Sequence, residues 1–234
     1  MYALILSGGK GERLRPLTDT MPKPMVPVQG KPILWYQINA LKKVGVTNVI
    51  FLCGYKWEVI RDYFGHGAAF GMRLDYSVED TPLGRGGAIK QGMALVPKSE
   101  STLFALNGDV LTAQDFAPML HQHRQTGAVA TDMLVPYPSA YGVVDVDERN
   151  RITAFREKGE LPLWINAGVY VLQTSIAPDL PDLGDHETST FPKLAAAGKL
   201  YAFKSRAFWR AVDNQKDLRE AEDALALMRP TPDP

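Results

Sequence analysis

Apolar positions in the first half of the chain follow two alternating patterns. Short, mostly apolar runs predict buried strands over residues 3–6, 49–52, 74–78 and 103–106. Apolar residues at helical intervals predict helices over residues 33–44, 57–64, 84–95 and 114–125. Regular alternation of strands and helices is typical of an α/β fold, with parallel strands and helices on both faces of the sheet.

The pattern changes after Gly127. Strand-like runs joined mainly by turns follow over residues 129–135, 141–147, 152–155, 165–172 and 200–203. They predict a small antiparallel extension of the sheet. A helix over residues 215–228 and a proline-rich, frayed tail over 229–234 complete the prediction. We therefore expect one domain over residues 1–228, with halves of about 1–127 and 128–228.

Composition and charge narrow the class of protein. The chain has 234 residues, is 45% hydrophobic and carries a formal net charge of zero. This balance argues against nucleic acid or a membrane surface as the main partner. Cys53 is the only cysteine, which excludes an internal disulfide, and its apolar neighbours predict a buried thiol. Neither a signal peptide nor a membrane span is visible, so we expect a cytoplasmic enzyme, with a homo-oligomer left open.

A glycine-rich loop follows the first predicted strand. Gly8, Gly9 and Gly11 let the backbone bend tightly and expose its N–H groups, which makes an anion cradle. Arg13 adds positive charge, and prolines on both sides of Lys23 restrict where its ammonium points. A polyphosphate is the simplest ligand for such a loop.

Familiar glycine motifs do not explain this loop. The dinucleotide fingerprint G-x-G-x-x-G would need a glycine at position 14, where this chain has Leu14. This mismatch weakens the alternative hypothesis that the protein is a nicotinamide-dependent dehydrogenase. No P-loop motif occurs in the sequence.

Two further loops carry candidate chemistry. Asp109 directly follows the strand predicted over residues 103–106, where a carboxylate suits a divalent cation such as Mg²⁺. Residues 81–89 form a second glycine loop that opens a helix, and its small residues would let a flat base approach the backbone.

Residues 6–18 and 22–27 resemble the signature of the sugar-1-phosphate nucleotidyltransferases, also called nucleotide-sugar pyrophosphorylases. This resemblance implies a Rossmann-like, mostly parallel sheet of the glycosyltransferase-A kind. It also implies Mg²⁺-dependent transfer of a nucleotidyl group from an NTP to a sugar-1-phosphate by direct in-line attack. Residues 22–27 and 106–112 look most like mannose-1-phosphate guanylyltransferases, whereas residues 31–35 and 54–56 look more like glucose-1-phosphate cytidylyltransferases.

These two resemblances point to different bases and sugars, so the substrates stay open. GTP with mannose-1-phosphate, or a related hexose or heptose phosphate, is favoured over UTP, dTTP or CTP with glucose-1-phosphate.

The resemblance assigns roles to individual residues. The implied catalytic residues are Arg13, Lys23, Asp109 and Lys158. The implied nucleotide-binding residues are Leu6, Gly8, Gly9, Gly11, Arg13, Lys23, Pro82, Gly86, Gly87 and Asp109. The implied sugar-phosphate-binding residues are Gly142, Glu157, Lys158 and Asn166. Gly159 departs mildly from the family pattern, which has proline after the Glu-Lys pair.

The second metal ligand shows the clearest departure from the family. Many members place an aspartate two residues after the tryptophan, where this chain has Ala211. Asp213 lies two residues further on, as in the similar stretch of the cytidylyltransferases. The implied metal ligands are therefore Asp109 and Asp213. Ala211 also motivates a rival of another class, a non-catalytic protein that binds nucleotide sugar as a sensor.

Overall fold

The computed structural model describes residues 1–228. Its strands are β1 Tyr2–Ser7, β2 Pro27–Val28, β3 Lys31–Pro32, β4 Asn48–Cys53, β5 Arg73–Val78, β6 Thr102–Asn107, β7 Val110–Thr112, β8 Ala130–Pro138, β9 Val143–Val146, β10 Ile152–Arg156, β11 Glu160–Gln173, β12 Leu200–Lys204 and β13 Trp209–Ala211. Its α-helices are α1 Ile33–Lys43, α2 Trp57–Phe64, α3 Gly84–Met93, α4 Ala117–Thr126, α5 His186–Ala196 and α6 Gln215–Met228. Short 3₁₀ segments include Glu12–Leu14, Leu17–Asp19 and Lys23–Met25.

Seven strands form the central sheet, in the order β12-β8-β11-β6-β1-β4-β5. β11 is antiparallel to both of its neighbours, and the other pairs in the sheet are parallel. β1 lies in the middle of the first half, where Leu4 pairs with Ile50 on one side and Ala105 on the other. The predicted mostly parallel α/β sheet is confirmed.

The core lies on both faces of this sheet. Because side chains alternate along a strand, Ile5 of β1 faces one way and Leu4 the other. The Ile5 face is covered by α1, α2 and α4, and the Leu4 face by α3 and α5. The predicted helices on both faces are therefore confirmed. The Cys53 thiol is buried at the end of β4, as predicted, and burial raises its pKa to about 12.

The second half of the chain contributes more to the central sheet than its turns suggest. β8, β11 and β12 complete the sheet, whereas β9 and β10 form the small antiparallel extension outside it. β8 and β11 lie in the central sheet because each contains a run of buried residues, over 130–133 and 167–172. Such a run suits a strand that is covered on both faces.

Two helices differ from the sequence prediction. α4 begins at Ala117 rather than Gln114, because the side chains of Thr112 and Asp115 accept hydrogen bonds from the backbone N–H groups of Gln114 and Ala117. α5 was not predicted, since its first turns are polar and Pro192 lies inside it. The Asp185 carboxylate caps α5 by accepting a hydrogen bond from Glu187 N at 2.9 Å.

The last predicted helix is confirmed as α6, while the tail over residues 229–234 lies outside the described residues. Within residues 1–228, no helix combines the length and the apolar character that crossing a membrane requires.

Candidate active site

A cleft of about 300 Å³ opens at the carboxyl ends of β1, β4, β5 and β6. Parallel sheets bind ligands at this edge. The cleft is lined by Leu6, Gly8, Gly9, Lys23, Pro24, Leu52, Glu79, Pro82, Gly84, Arg85, Ala88, Asn107, Gly108 and Asp109. The structure thus brings six of the sequence-predicted nucleotide-binding residues to one cleft: Leu6, Gly8, Gly9, Lys23, Pro82 and Asp109.

The glycine loop closes against the segment that carries Lys23. Gly11 has a left-handed backbone (φ 65°), and a Cβ there would lie 2.8 Å from the Cβ of Lys23. A side chain at Gly11 would therefore push Lys23 away. Gly9 is exposed and has open space where a side chain would lie, so its backbone is accessible.

Lys23 bridges the two predicted metal ligands. Its Nζ donates to Asp109 Oδ2 at 2.5 Å and to Asp213 Oδ1 at 2.6 Å. Arg13 also reaches Asp213 Oδ1, at 2.9 Å. Burial acts to lower the pKa of Lys23, but the two carboxylates outweigh it and raise the pKa. For Asp213, burial acts to raise the pKa, whereas Lys23 and Arg13 outweigh it and lower the pKa.

A short antiparallel pair brings the two aspartates together. β7, which follows Asp109, pairs with β13, and Ala211 lies opposite Val110. The backbone N–H of Val212 donates to Asp109 O at 2.9 Å, which places Asp213 beside the turn. Asp217 of α6 then accepts a hydrogen bond from Asp213 N at 3.1 Å. Ala211 is therefore a strand residue in this ladder, and Asp213 supplies the second carboxylate.

These carboxylates fit a divalent cation. Two oxygens from different segments converge on one positive group, the Lys23 ammonium, and carboxylate oxygens are hard ligands that suit Mg²⁺.

Asp185, His186 and Glu187 form another group whose potential ligand atoms lie within 4.8 Å of one another. Arg85 already occupies both of its carboxylates, donating to Asp185 Oδ2 at 2.7 Å and to Glu187 Oε1 at 2.7 Å. Cations thus hold both groups of carboxylates, Arg85 in this group and Lys23 at Asp109 and Asp213. The two groups differ in position, because Asp109 lines the cleft whereas Asp185, His186 and Glu187 do not.

The second glycine loop places one of its three predicted residues, Pro82, in the cleft, but not Gly86 or Gly87. Pro82, Gly84, Arg85 and Ala88 line it. Gly86 and Gly87 instead turn toward the loop before α5: a Cβ on Gly86 would lie 2.7 Å from Pro181, and one on Gly87 2.5 Å from the carbonyl of Asp182. Close packing against this loop explains both glycines, and their contact with a nucleoside stays a prediction.

One of the predicted sugar-phosphate-binding residues, Asn166, lies in the central sheet. Asn166 of β11 is half-buried; its Oδ1 accepts from Gly168 N at 2.7 Å and its Nδ2 donates to the Tyr170 hydroxyl at 2.9 Å. Tyr170 in turn donates to Glu187 at 2.8 Å, which links Asn166 to the carboxylate that also holds Arg85.

The other predicted sugar-phosphate-binding residues lie on the small extension. Glu157 and Lys158 are exposed on the turn between β10 and β11. A Cβ on Gly142 would lie 2.7 Å from the Phe155 ring and 3.4 Å from Glu157 Oε2. Gly142 and Glu157 are thus neighbours, while the contact of this group with a sugar stays a prediction.

Sequence reasoning missed two charged residues of the cleft. Glu79 directly follows β5 and is half-buried, with Oε2 accepting a hydrogen bond from Leu83 N at 3.0 Å. Its position after a parallel strand was the signal that could have identified it, as it did for Asp109. Arg85 lies inside the glycine loop, where its charge was overlooked beside the glycines.

The fold and the cleft together define an α/β protein with a glycine-rich loop and a pair of carboxylates at the carboxyl edge of its sheet. The chain belongs to the nucleotidyl transferase family, whose model matches residues 2–227.

Known relatives agree with this assignment. A mannose-1-phosphate guanylyltransferase of Mycobacterium tuberculosis is 37% identical over 239 residues, which cover 98% of this chain and 66% of the relative. The crystal structure of HddC from Yersinia pseudotuberculosis complexed with GMP-PN has a TM-score of 0.74 and 28% identity, and the match covers 96% of this chain and 99% of that chain. A glucose-1-phosphate thymidylyltransferase structure from Bacillus anthracis, described as putative, shares the fold at a TM-score of 0.79 and 21% identity, covering 100% and 98% of the two chains. The chain spans 62–66% of the length of the curated relatives that it matches.

Proposed function

We propose that this protein transfers a nucleotidyl group from an NTP to a sugar-1-phosphate, releasing pyrophosphate. The observation that carries the proposal is the convergence of Lys23, Asp109 and Asp213 beside the glycine loop. Family membership and the names of the relatives support the same reaction class.

The reaction needs no general base from the protein. A phosphate oxygen of the sugar-1-phosphate forms a bond to the α-phosphorus, and the bond from that phosphorus to the β-phosphate oxygen breaks. Pyrophosphate leaves with the electron pair. Because the attacking oxygen is already anionic, catalysis consists of positioning and charge neutralisation.

On the nucleotide side, the backbone of residues 8–11 and Arg13 would hold the β- and γ-phosphates. Lys23 would stabilise charge on the α-phosphate and the leaving group. Asp109 and Asp213 would hold Mg²⁺, which neutralises phosphate charge when bound.

On the acceptor side, Glu157 and Asn166 would bind sugar hydroxyls. Lys158 would pair with the sugar phosphate and reduce its repulsion from the triphosphate. Gly142 would allow the sugar to approach closely.

GTP and mannose-1-phosphate are the substrates that we favour. The relatives named as mannose-1-phosphate guanylyltransferases and the GMP-PN complex of HddC support this choice. The cleft adds a chemical reason. Glu79 offers carboxylate oxygens beside apolar walls that include Leu52 and Ala88. Guanine presents two adjacent donors, its ring N–H and its amino group, which one carboxylate can accept together.

The proposal is tested by measuring pyrophosphate release with Mg²⁺ for each NTP crossed with a panel of sugar-1-phosphates. We expect release with GTP and mannose-1-phosphate. Release with another pair would correct the substrates, whereas binding of GDP-mannose without release from any pair would favour the sensor.

Glu79→Gln tests the base assignment. Gln offers one carbonyl and one amino group, so it mismatches the two donors of guanine. We expect kcat/KM for GTP to fall roughly ten- to hundredfold relative to UTP, the range for one bidentate base contact. The matched control is Asp80→Asn, which neutralises the neighbouring exposed carboxylate. An unchanged GTP-to-UTP ratio in Glu79→Gln would remove Glu79 from base recognition.

A further inference from the structure

The side chain of Gln37 in α1 forms hydrogen bonds to both ends of the turn that carries Asp109. Its Nε2 donates to Asn107 O and to Val110 O, both at 2.8 Å. These two carbonyls flank Gly108 and Asp109, so one side-chain amide spans the whole turn. The amide group has two N–H donors, and the two carbonyls use one each.

The turn is also fixed from the opposite side. Gly108 N donates to Leu6 O at 2.9 Å, and a Cβ on Gly108 would lie 2.4 Å from that oxygen. The turn therefore lies directly against the end of β1. Gln37 supplies the second clamp, and it is itself held in place because its helix neighbours Leu34, Ile38 and Leu41 are fully buried in the core.

This clamp leaves one polar atom of Gln37 without a partner. Gln37 is 4% exposed, and its Oε1 is buried without a hydrogen bond within the described chain. A buried unpaired oxygen destabilises a fold. An apolar side chain of the same length would fill the space without this penalty, so the value of the amide lies in its two N–H donors.

We infer that Gln37 is a positioning residue that fixes the Asp109 carboxylate relative to Asp213 and Lys23. The inference rests on the proposed function, in which Asp109 is a metal ligand. Without the two hydrogen bonds, the Asn107–Val110 turn loses its link to α1. The Asp109 carboxylate then samples a wider range of positions, and fewer of them converge with Asp213.

The test is a titration of the full chain with Mn²⁺ in the absence of substrates, following free Mn²⁺ by electron paramagnetic resonance. Gln37→Met keeps the length of the side chain and removes the donors. We expect it to weaken Mn²⁺ binding roughly ten- to hundredfold, the range for losing a group that orients a metal ligand. Gln37→Asn keeps an amide that is too short to span both carbonyls, so we expect weakened binding there as well.

The matched control is Gln122→Met. Gln122 also links a helix to the sheet, donating from α4 to Ala202 O of β12 at 2.8 Å, and it does not line the cleft. We expect this variant to bind Mn²⁺ like the wild type. Thermal unfolding of each variant shows whether it is folded before the titration is interpreted.

Asp109→Asn separates the two ways in which the inference can fail. If the wild type binds no Mn²⁺, or if Asp109→Asn binds it equally well, the proposed metal site is wrong and the role of Gln37 falls with it. If Asp109→Asn weakens binding while both folded Gln37 variants match the wild type, the metal site stands and the inference about Gln37 is overturned.

Discussion

The two sides of the candidate site hold their charged side chains differently. On the nucleotide side, Lys23 is 9% exposed and makes two short ion pairs to carboxylates from distant segments. On the acceptor side, Glu157 and Lys158 are exposed on a turn of the small extension. One arrangement lies inside the cleft with its lysine shielded from solvent, and the other lies on the surface.

This difference indicates a division of work. A buried cation with fixed partners is preorganised, and it acts where water screens little, so it can contribute strongly to the rate of the chemical step. An exposed cation is screened and must be ordered by the ligand itself. We therefore expect the nucleotide side to control kcat and the acceptor side to control mainly the KM for the sugar phosphate.

Lys23→Ala should have the largest effect on this comparison. It removes the one ammonium that bridges Asp109 and Asp213, and we expect kcat to fall roughly 10²–10³-fold, the range for one preorganised electrostatic contact. The measurement is pyrophosphate release at saturating substrates. Lys216→Ala, which removes an exposed lysine of α6, is the control. Near-normal kcat in Lys23→Ala would remove Lys23 from the mechanism.

Lys158→Ala should have a smaller and different effect. We expect the KM for the sugar phosphate to rise about tenfold, because an exposed charge contributes less than a buried one. The KM for GTP should stay within about twofold. The rise should shrink at high salt, since screening already weakens the wild-type contact.

Steady-state kinetics at low and high salt, with the exposed Lys98→Ala as a control, check the Lys158 prediction. A fall in kcat with unchanged KM would contradict the division of work between the two sides.

Asp132→Asn should affect stability rather than activity. Asp132 of β8 is 8% exposed and pairs across the sheet with Tyr170. Burial, with a smaller contribution from the charge of Glu187, raises its pKa to about 8. The folded state therefore holds a proton that the unfolded state releases near pH 4, so Asp132 lowers stability progressively as pH rises from about 4 to 8.

Because the amide cannot ionise, we expect Asp132→Asn to raise the thermal unfolding temperature by a few degrees at pH 9 and by little at pH 5. Calorimetry at the two pH values measures this difference. Equal shifts at both values would show that Asp132 is ionised in the folded protein throughout.

The sequence predicted those features that depend on local pattern. The strands β1, β4, β5 and β6 appear as apolar runs, and their carboxyl ends carry the glycine loop and Asp109. A family resemblance added Asp213, whose neighbourhood the structure explains by the pairing of β7 with β13. That ladder was not predicted, because three residues per strand are too few to produce a pattern.

Long-range side-chain contacts could not be predicted from the sequence either. The bond from Gln37 to Asn107 O and the links from Arg85 to Asp185 and Glu187 join residues about 70 to 100 positions apart. Nothing in the local sequence marks such partners. In the same way, Gly86 and Gly87 matched a ligand-binding pattern, although packing against the loop before α5 accounts for them here.

The separation of Lys23 from Asp213, 190 positions along the chain, has a consequence for biosynthesis. The glycine loop and Lys23 leave the ribosome well before the second carboxylate, which emerges only after β13 has been made. A nascent chain that lacks Asp213 holds Lys23 with only one of its two carboxylate partners. The two carboxylates therefore come together only after all strands of the central sheet have been synthesised, and a truncation before residue 213 yields a chain without its paired carboxylates, even where the central sheet has formed.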